Sequence, residues 1–398
     1  MITKIVIPLL LSTLLPWLYI DRQCLNGRLK RRWLRLLWWI PAVVMAVATL
    51  LLGTSRDFAP DNISIVNTYL FMVGFMVIPA TLFALCSLAG QLLRRLCHTT
   101  RNYGHIIGVA AVAGCWFILI YGSTKGFSQI TVKRVTYCSE QLPAAFDGYR
   151  IVHFSDAHVG TYSGSRASLL VRAVDSINAQ GADLIVFTGD LQNRIPSEIR
   201  PHLATLSRLH AKDGVISVMG NHDYPHYITA DEGMKKRNLQ ETKQLQRSMG
   251  WTLLMNRHTV VHRQADSIIV AGMENDGTGR PFPSYADIGK TLQGTQSGQF
   301  TLMLQHDPSS WRRTILPQSS AQLTLSGHTH ATQFALFGWS PASLIYKEWG
   351  GMYYEGERAI YVSTGLGGFI PFRFGVPGEV TVITLKKKQA SKASPKTT

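Results

Sequence analysis

Four apolar blocks, residues 5–20, 36–53, 65–88 and 106–121, fill most of the first 122 positions, and nothing constrains the fold of this chain more. A helix needs roughly 20 apolar residues to cross a hydrocarbon core of about 30 Å, and it satisfies its own backbone groups there. The first block is short and carries Pro8 and Pro16, and with Lys4 ahead of it the segment has the look of a secretory signal. Tyr19, Ile20, Asp21 and Arg22 stand where a small-residue cleavage site would have to be, so the block is expected to be retained as a span. Residues 1–122 thus read as an anchor of about four transmembrane helices.

Charge gives the anchor a direction. Arg22, Arg28, Lys30, Arg31, Arg32 and Arg35 lie between the first two blocks, and Arg94, Arg95 and Arg101 between the last two. The loop between them sets Arg56 against Asp57 and Asp61. Positively charged loops stay in the cytoplasm, so the fourth helix is expected to deliver the rest of the chain to the outer face. In a Gram-negative cell that describes a multi-pass protein of the inner (cytoplasmic) membrane with a periplasmic domain. No span carries an ionisable residue well inside its apolar run, which favours an anchor over a transport path.

The net charge of +16 does not point to nucleic acid. Residues 1–122 hold eleven Lys or Arg against three acids, and the tail at 386–398, expected to be disordered, holds five lysines. Residues 123–385 are nearly balanced, with 24 basic and 21 acidic side chains, and present no basic aromatic face. No nucleic-acid partner is expected. Cys24, Cys86, Cys97 and Cys115 fall in the membrane part, leaving Cys138 alone in the remainder, so neither an internal disulfide there nor a cysteine zinc site is available.

Beyond residue 123 the pattern changes. Residues 129–135 alternate like a strand, within a connecting segment at 123–149. Short apolar runs follow at 149–154, 183–187, 215–219, 268–272, 300–304, 322–325, 360–363 and 380–385. Helix-like stretches at 166–179, 197–210 and 236–249 interleave with them, which argues for an α/β domain over 150–385. Polar residues fall at the strand ends, where loops of layered α/β folds gather sites.

Five of these endings carry chemistry. They are Ser155-Asp156-Ala157-His158, Gly189-Asp190, Gly220-Asn221-His222-Asp223, Gln305-His306-Asp307 and Gly327-His328-Thr329-His330. Carboxylates and imidazoles are what a pair of hard to borderline divalent cations takes as ligands, one carboxylate bridging them. In D-x-H and H-x-H, residues two apart on extended backbone project to one side. Singly, Gly-Asp reads as a turn and His306 as a satisfied strand-end histidine; it is the ordered set that reads as a binuclear site.

The set resembles the signature of the calcineurin-like metallophosphoesterases, and residues 150–385 are covered. Ser363-Thr364-Gly365-Leu366-Gly367-Gly368, Pro371-Phe372-Arg373-Phe374-Gly375 and Glu379-Val380-Thr381 look like the closing stretch of the family's membrane-anchored bacterial branch. The resemblance implies a four-layer α-β-β-α sandwich of two mixed sheets flanked by helices. It implies that Asp156, His158 and His330 hold one metal, that Asn221, His306 and His328 hold the other, and that Asp190 bridges them. His222 would face the substrate phosphate and protonate the leaving group, with Asp223 orienting it. Two departures stand out. Ala331-Thr332-Gln333 follows where the branch usually has Gly-Gly-Gln, and it is open whether Glu274 or Asp276 takes the place of a supporting acid. Arg194, Arg280 and Arg373 are candidates for phosphate contact, whereas His202, His210, His226, His258 and His262 lack ligand spacing.

The expected reaction is hydrolysis of a phosphoester or pyrophosphate bond by in-line attack of a hydroxide shared by two divalent ions, with His222 as acid and no covalent intermediate. Manganese, iron, zinc or magnesium suits the ligands. The anchor and the outward orientation favour an envelope or lipid-linked substrate. Some enzymes of the branch cleave the pyrophosphate of nucleotide-linked acylated sugars, a chemistry of the cytoplasmic leaflet that the orientation opposes. A phosphodiesterase acting on soluble nucleotides is the alternative, and a non-catalytic metal-binding scaffold is the other class, which the presence of His222 disfavours.

Overall fold

A computed structural model of the chain describes residues 2–27, 31–54, 63–278, 282 and 284–388. Arg28, Lys30, Arg56, Asp57, Asp61, Arg280 and the tail from 389 lie outside the described residues. Contacts divide the chain into Met1–Thr124 and Lys125–Thr398.

In the first unit the apolar blocks are helices. Trp33–Thr54, Ser64–Leu96 and Gly104–Gly126 are each long and apolar enough to cross a membrane, and a fourth apolar helix, Ile2–Ile20, runs through Pro8 and Pro16. Small residues set the packing: a Cβ on Gly108 would come 2.8 Å from the Phe83 ring, so only glycine allows that approach. Arg35 grips Asp21 with two hydrogen bonds, of 3.0 and 2.6 Å, which neutralises one charge of the first basic loop.

The second unit contains two six-stranded mixed sheets. The strands are β1 (Ile130–Ser139), β2 (Arg150–Phe154), β3 (Leu184–Phe187), β4 (Val215–Ser217), β5 (Thr252–Leu253), β6 (Arg257–Arg263), β7 (Asp266–Gly272), β8 (Thr301–Leu304), β9 (Leu323–Ser326), β10 (Gly351–Glu355), β11 (Arg358–Val362) and β12 (Gly378–Lys387). One sheet runs β1-β12-β2-β3-β4-β5 and the other β10-β11-β9-β8-β7-β6. Alternation along each strand creates the layers. Ile151, Leu184, Val186 and Ile216 of the first sheet meet Ile268, Val270, Leu302 and Leu325 of the second in a shared core. On the opposite side, Val152, Phe154, Ile185 and Phe187 pack against Leu170, Ala173, Val174 and Ile177 of the helix Ala167–Asn178. Ile269, Ala271, Met303, Ile360 and Val362 pack outward against Trp311 and Ile315. The expected α-β-β-α sandwich is the fold.

Three local differences have physical reasons. β1, from the segment before residue 150, pairs in parallel with β12 over its whole length, from Ile130 opposite Gly378 to Ser139 opposite Lys387. That pairing also draws Lys386 and Lys387, expected in a disordered tail, into a strand. The helix expected at 197–210 is mostly single turns, with Leu203–Leu206 its longest α-helical piece, since Pro196 and Pro201 interrupt the backbone bonding.

The parallel strands place their carboxyl ends together. β2 ends at Phe154, β3 at Phe187, β4 at Ser217, β8 at Leu304 and β9 at Ser326, each just ahead of one of the five polar motifs.

Candidate metal centre

The ligand candidates leave their strands through left-handed backbone. Asp156 (φ 53°), His158 (φ 44°), Asp190 (φ 60°), His328 (φ 76°) and His330 (φ 50°) all have positive φ, a conformation that L residues other than glycine adopt at a cost. Bonds between motifs hold them. The Asp156 amide donates to Gly189 O at 2.8 Å, the His158 amide to Asp190 O at 3.1 Å, and the His328 amide to both Asp156 carboxylate oxygens, at 3.1 and 3.0 Å. Glycine is required where these chains cross: a Cβ on Gly189 would collide with the backbone of Gly220, and one on Gly327 with the Ser155 hydroxyl and the Asp156 carboxylate.

The result is two adjoining sets of donor atoms. Asp156, His158, Asp190 and His330 offer atoms within 4.8 Å of one another, and so do Asp190, His306 and His328. In the first set His158 Nε2 lies 3.2 Å from His330 Nε2 and 3.6 Å from Asp190 Oδ2, and His330 Nε2 is 3.2 Å from Asp156 Oδ1. In the second His306 Nε2 is 3.2 Å from that same Asp190 Oδ2. Asn221 Oδ1 lies 3.1 Å from His306 Nε2 and 2.8 Å from His328 Nδ1. All seven expected ligand residues are therefore together, and Asp190 belongs to both sets.

Supporting bonds aim these atoms. His306 Nδ1–H donates to Thr188 O at 2.7 Å, which turns Nε2 inward. Asn221 Nδ2 donates to Tyr227 Oη at 2.6 Å, which leaves Oδ1 pointing into the cavity. Tyr346 Oη, 2.9 Å from His328 Nε2, does the same for Nδ1 of that ring.

The donor chemistry fits divalent cations. Burial pushes His158 down to about 3, His330 well below the usual imidazole range and His328 downward, so their lone pairs are free to ligate. Two neutral ring nitrogens 3.2 Å apart can share at most one proton, and a cation between them removes the conflict. His306 differs. Burial opposes its charge, but the Asp190 carboxylate beside it outweighs burial and raises it to about 10. Asp190 is correspondingly held well below the carboxylate range, with burial overcome by the charge of His306 and the neighbouring imidazoles. Burial lifts Asp156 only to about 6, so the cavity carries a negative surplus at neutral pH for cations to offset.

His222 stands beside this cluster, its ring centroid 4.8 Å from that of His158. Nδ1–H donates to Asn193 O at 2.6 Å, and the ring stacks on Tyr227 at 4.1 Å and an angle of 2°. The expectation that Asp223 orients this imidazole through its own side chain gives way here. Asp223 instead accepts from the backbone N–H of Asp190, Leu191 and Gly220, each at 2.9 Å, and of Gln192 at 3.3 Å. Burial and the neighbouring Asp190 charge raise its pKa to about 7.

The other arginine and acid candidates serve structure. Arg194 is buried and donates to Tyr227 O from Nε and Nη2, at 3.1 and 2.9 Å. Arg373 is fully buried, donating to the carbonyls of Gly367, Thr364 and Val376, which shapes the closing loop rather than meeting phosphate. Glu274 accepts from Tyr224 and Asn256, and Asp276 from Ser284, Ser310 and Thr314, so the two acids divide the support of different loops. His202 is buried, His258 bonds Thr291 O, and His226 bonds Tyr285, none of them in the cluster. Asn193, Tyr227 and Tyr346 had no signal in sequence spacing.

The turn after Gly327-His328 keeps its shape without glycine. His330, Ala331, Thr332 and Gln333 are all left-handed, with φ of 50°, 49°, 51° and 57°. Gln333 then donates to Ile370 O and Phe372 O, at 2.9 and 2.6 Å.

Comparison with known proteins gives concordant matches. The family model described as calcineurin-like phosphoesterase matches residues 149–332, and one described as a probable calcineurin-like phosphoesterase transmembrane domain matches residues 3–127. Length, composition and family thus agree that the first unit carries membrane-spanning helices. A Bacillus subtilis metallophosphoesterase, YkuE, is 34% identical over 261 residues, covering 63% of this chain and 84% of that protein. A transmembrane protein with metallophosphoesterase domain from Danio rerio is 31% identical over 278 residues, 68% of this chain and 60% of the relative's length. The UDP-2,3-diacylglucosamine pyrophosphatase LpxG of Chlamydia trachomatis is 26% identical over 301 residues, 63% of this chain and 88% of that protein.

Two outcomes are expected. Asp223→Ala, which frees four amides at the ligand loops, should weaken manganese binding about 10–100-fold in a thermal-shift titration of the full chain. Thr332→Gly should raise the stability of the catalytic unit by about 1 kcal/mol, read as a higher midpoint of denaturant unfolding, because a β-branched residue no longer has to hold positive φ.

Proposed function

The chain belongs to the calcineurin-like phosphoesterases, and from that membership we propose a membrane-anchored hydrolase that cleaves phosphoester or pyrophosphate bonds of an envelope or lipid-linked substrate with two divalent cations. The observation that carries this reading is Asp190 Oδ2, 3.6 Å from His158 Nε2 and 3.2 Å from His306 Nε2, a single oxygen common to both donor sets. Asp156, His158 and His330 then hold one ion, Asn221, His306 and His328 the other, and Asp190 both. Manganese, iron, zinc or magnesium meets the mixed oxygen and nitrogen donors. Bound there, the ions supply an acidified water and offset the charge on phosphoryl oxygens.

The remaining steps fall to the protein's own groups. With Nδ1–H engaged by Asn193 O, His222 has Nε2 left to hand a proton to the departing oxygen. Burial lowers its pKa, which loosens its hold on that proton. Stacking on Tyr227 restricts the ring to one plane. Asp223 acts as a positioning residue, through the loops that carry Asp190 and Asn221.

Substrate class and orientation rest on the anchor. The basic loops around 22–35 and 94–101 support an inner-membrane protein whose catalytic unit faces the periplasm or outer surface. LpxG, named for an acylated sugar nucleotide, supports a phosphate bond joined to acyl chains as the target.

Purified full-length protein with manganese should hydrolyse a chromogenic bis-phosphodiester. His222→Ala should lower kcat by about 10²–10⁴ with metal content unchanged. Asp190→Ala should abolish turnover and metal binding together; activity that survives it rejects the mechanism. A reporter active only outside the cytoplasm, fused after Lys388, should give signal, and a silent fusion reverses the orientation.

A further inference from the structure

The loop that follows the left-handed His330 turn exposes apolar side chains in a way the rest of the catalytic unit does not. Leu336, Phe337, Trp339, Leu344 and Ile345 are all exposed, Phe337 at 99%, Leu344 at 77% and Ile345 at 72%. Among the described residues the other exposed large apolar side chains of this unit, Met234, Val260, Tyr285 and Tyr354, are scattered through the sequence. Residues 334–346 contain no charged side chain at all, and the first to follow is Lys347, itself exposed.

This exposure is built in. Leu336 and Trp339 exchange backbone hydrogen bonds of 2.9 and 3.0 Å around a two-residue turn, Phe337 (φ 50°) and Gly338 (φ 81°), which thrusts the Phe337 ring into solvent. Below the tip, Ala335 N–H donates to Phe374 O at 2.8 Å, and the buried Ser340 hydroxyl to Ala331 O at 2.6 Å. Five exposed apolar side chains within ten residues of one braced loop mark a binding site. The loop also ends at the metal centre, since Tyr346 Oη is 2.9 Å from His328 Nε2 and the Phe282 ring is 5.1 Å from the His328 ring.

We propose that residues 334–346 form a lipid-interface element, with Phe337, Trp339, Leu344 and Ile345 in the acyl region of a bilayer, which holds the hydrocarbon of a lipid phosphoester beside the metal ligands. The chain argues for lipid as the occupant. The last membrane helix ends at Gly126 and β1 begins at Ile130. Only three residues, 127–129, join a membrane span to the first strand of the catalytic unit, a reach of about 14 Å at most. Trp and Phe ahead of the exposed Lys347, with the following Glu348 buried against Arg312, is the composition of a segment seated at a bilayer surface. The acyl-holding role rests on the lipid-linked reading of the site given above, whereas the insertion of the loop does not.

Two measurements on the full chain test it. In a background with the five native cysteines replaced, Phe337→Cys is labelled with an environment-sensitive fluorophore and reconstituted into phosphatidylethanolamine and phosphatidylglycerol vesicles. Lipids brominated in the acyl chains should quench the label, and adding Trp339→Ser, Leu344→Ser and Ile345→Ser should abolish the quenching. Separately, hexadecyl and methyl 4-nitrophenyl phosphates are compared as substrates. The wild type should favour the long chain in kcat/KM, and Phe337→Ser/Leu344→Ser/Ile345→Ser should lower that preference about tenfold while leaving the methyl ester unchanged. An unquenched label, or a preference that survives the triple variant, overturns the proposal. So does a fluorescence change that needs no lipid and grows with protein concentration, which assigns the loop to a second copy of the chain. A wild type inactive on both esters sinks the hydrolase reading instead, and the quenching still decides whether the loop enters the bilayer.

Discussion

Left-handed backbone at five of the seven ligand candidates is the constraint on which the site depends. A single non-glycine residue in that conformation costs roughly 1–2 kcal/mol. Asp156, His158, Asp190, His328 and His330 accept it together because the amide or carbonyl of each motif bonds to another motif. His328 N–H rests on Asp156, His158 N–H on Asp190 O, and Asp190 N–H on Asp223. Four loops from two sheets are thus joined in a row, and Asn221 Oδ1, 2.8 Å from His328 Nδ1, closes the row into a circuit. The sandwich is its scaffold, since only packed sheets hold strand ends at fixed separation while their loops are bent against preference.

Electrostatics presses on the same circuit from inside. Asp156 and Asp190 are buried with neutral imidazoles around them, an arrangement costly without compensating charge. Part of the compensation is internal, from His306 on Asp190. The rest is what a divalent ion adds, so the features that strain the fold are those that create affinity for metal.

Much of this was legible in the sequence because local spacing encodes it. Runs such as 149–154 and 183–187 announce strands, and D-x-H or H-x-H at their ends announces donors, although these reach the site through left-handed backbone rather than the extended backbone that the spacing implies, and His328 and His330 divide between the two sets. What spacing does not encode is a partner reached through the backbone. Asn193 O holds His222, Thr188 O holds His306, and Tyr227 braces both His222 and Asn221, and no pattern of residue types records such pairings. Asp223, adjacent to His222, invited a side-chain role for the imidazole, yet its carboxylate turns to four amides. Residue type alone left Arg194 and Arg373 open, because a guanidinium suits phosphate and its five donors suit crowded carbonyls equally well. The edge strand β6 was invisible because Arg and His take four of its seven positions and leave little apolar alternation.

His306 beside Asp190 couples metal binding to acidity. The proton that Asp190 holds on His306 stands where a cation would take the Nε2 lone pair. Metal uptake at that ring would release a proton, so affinity there falls as the medium becomes more acidic.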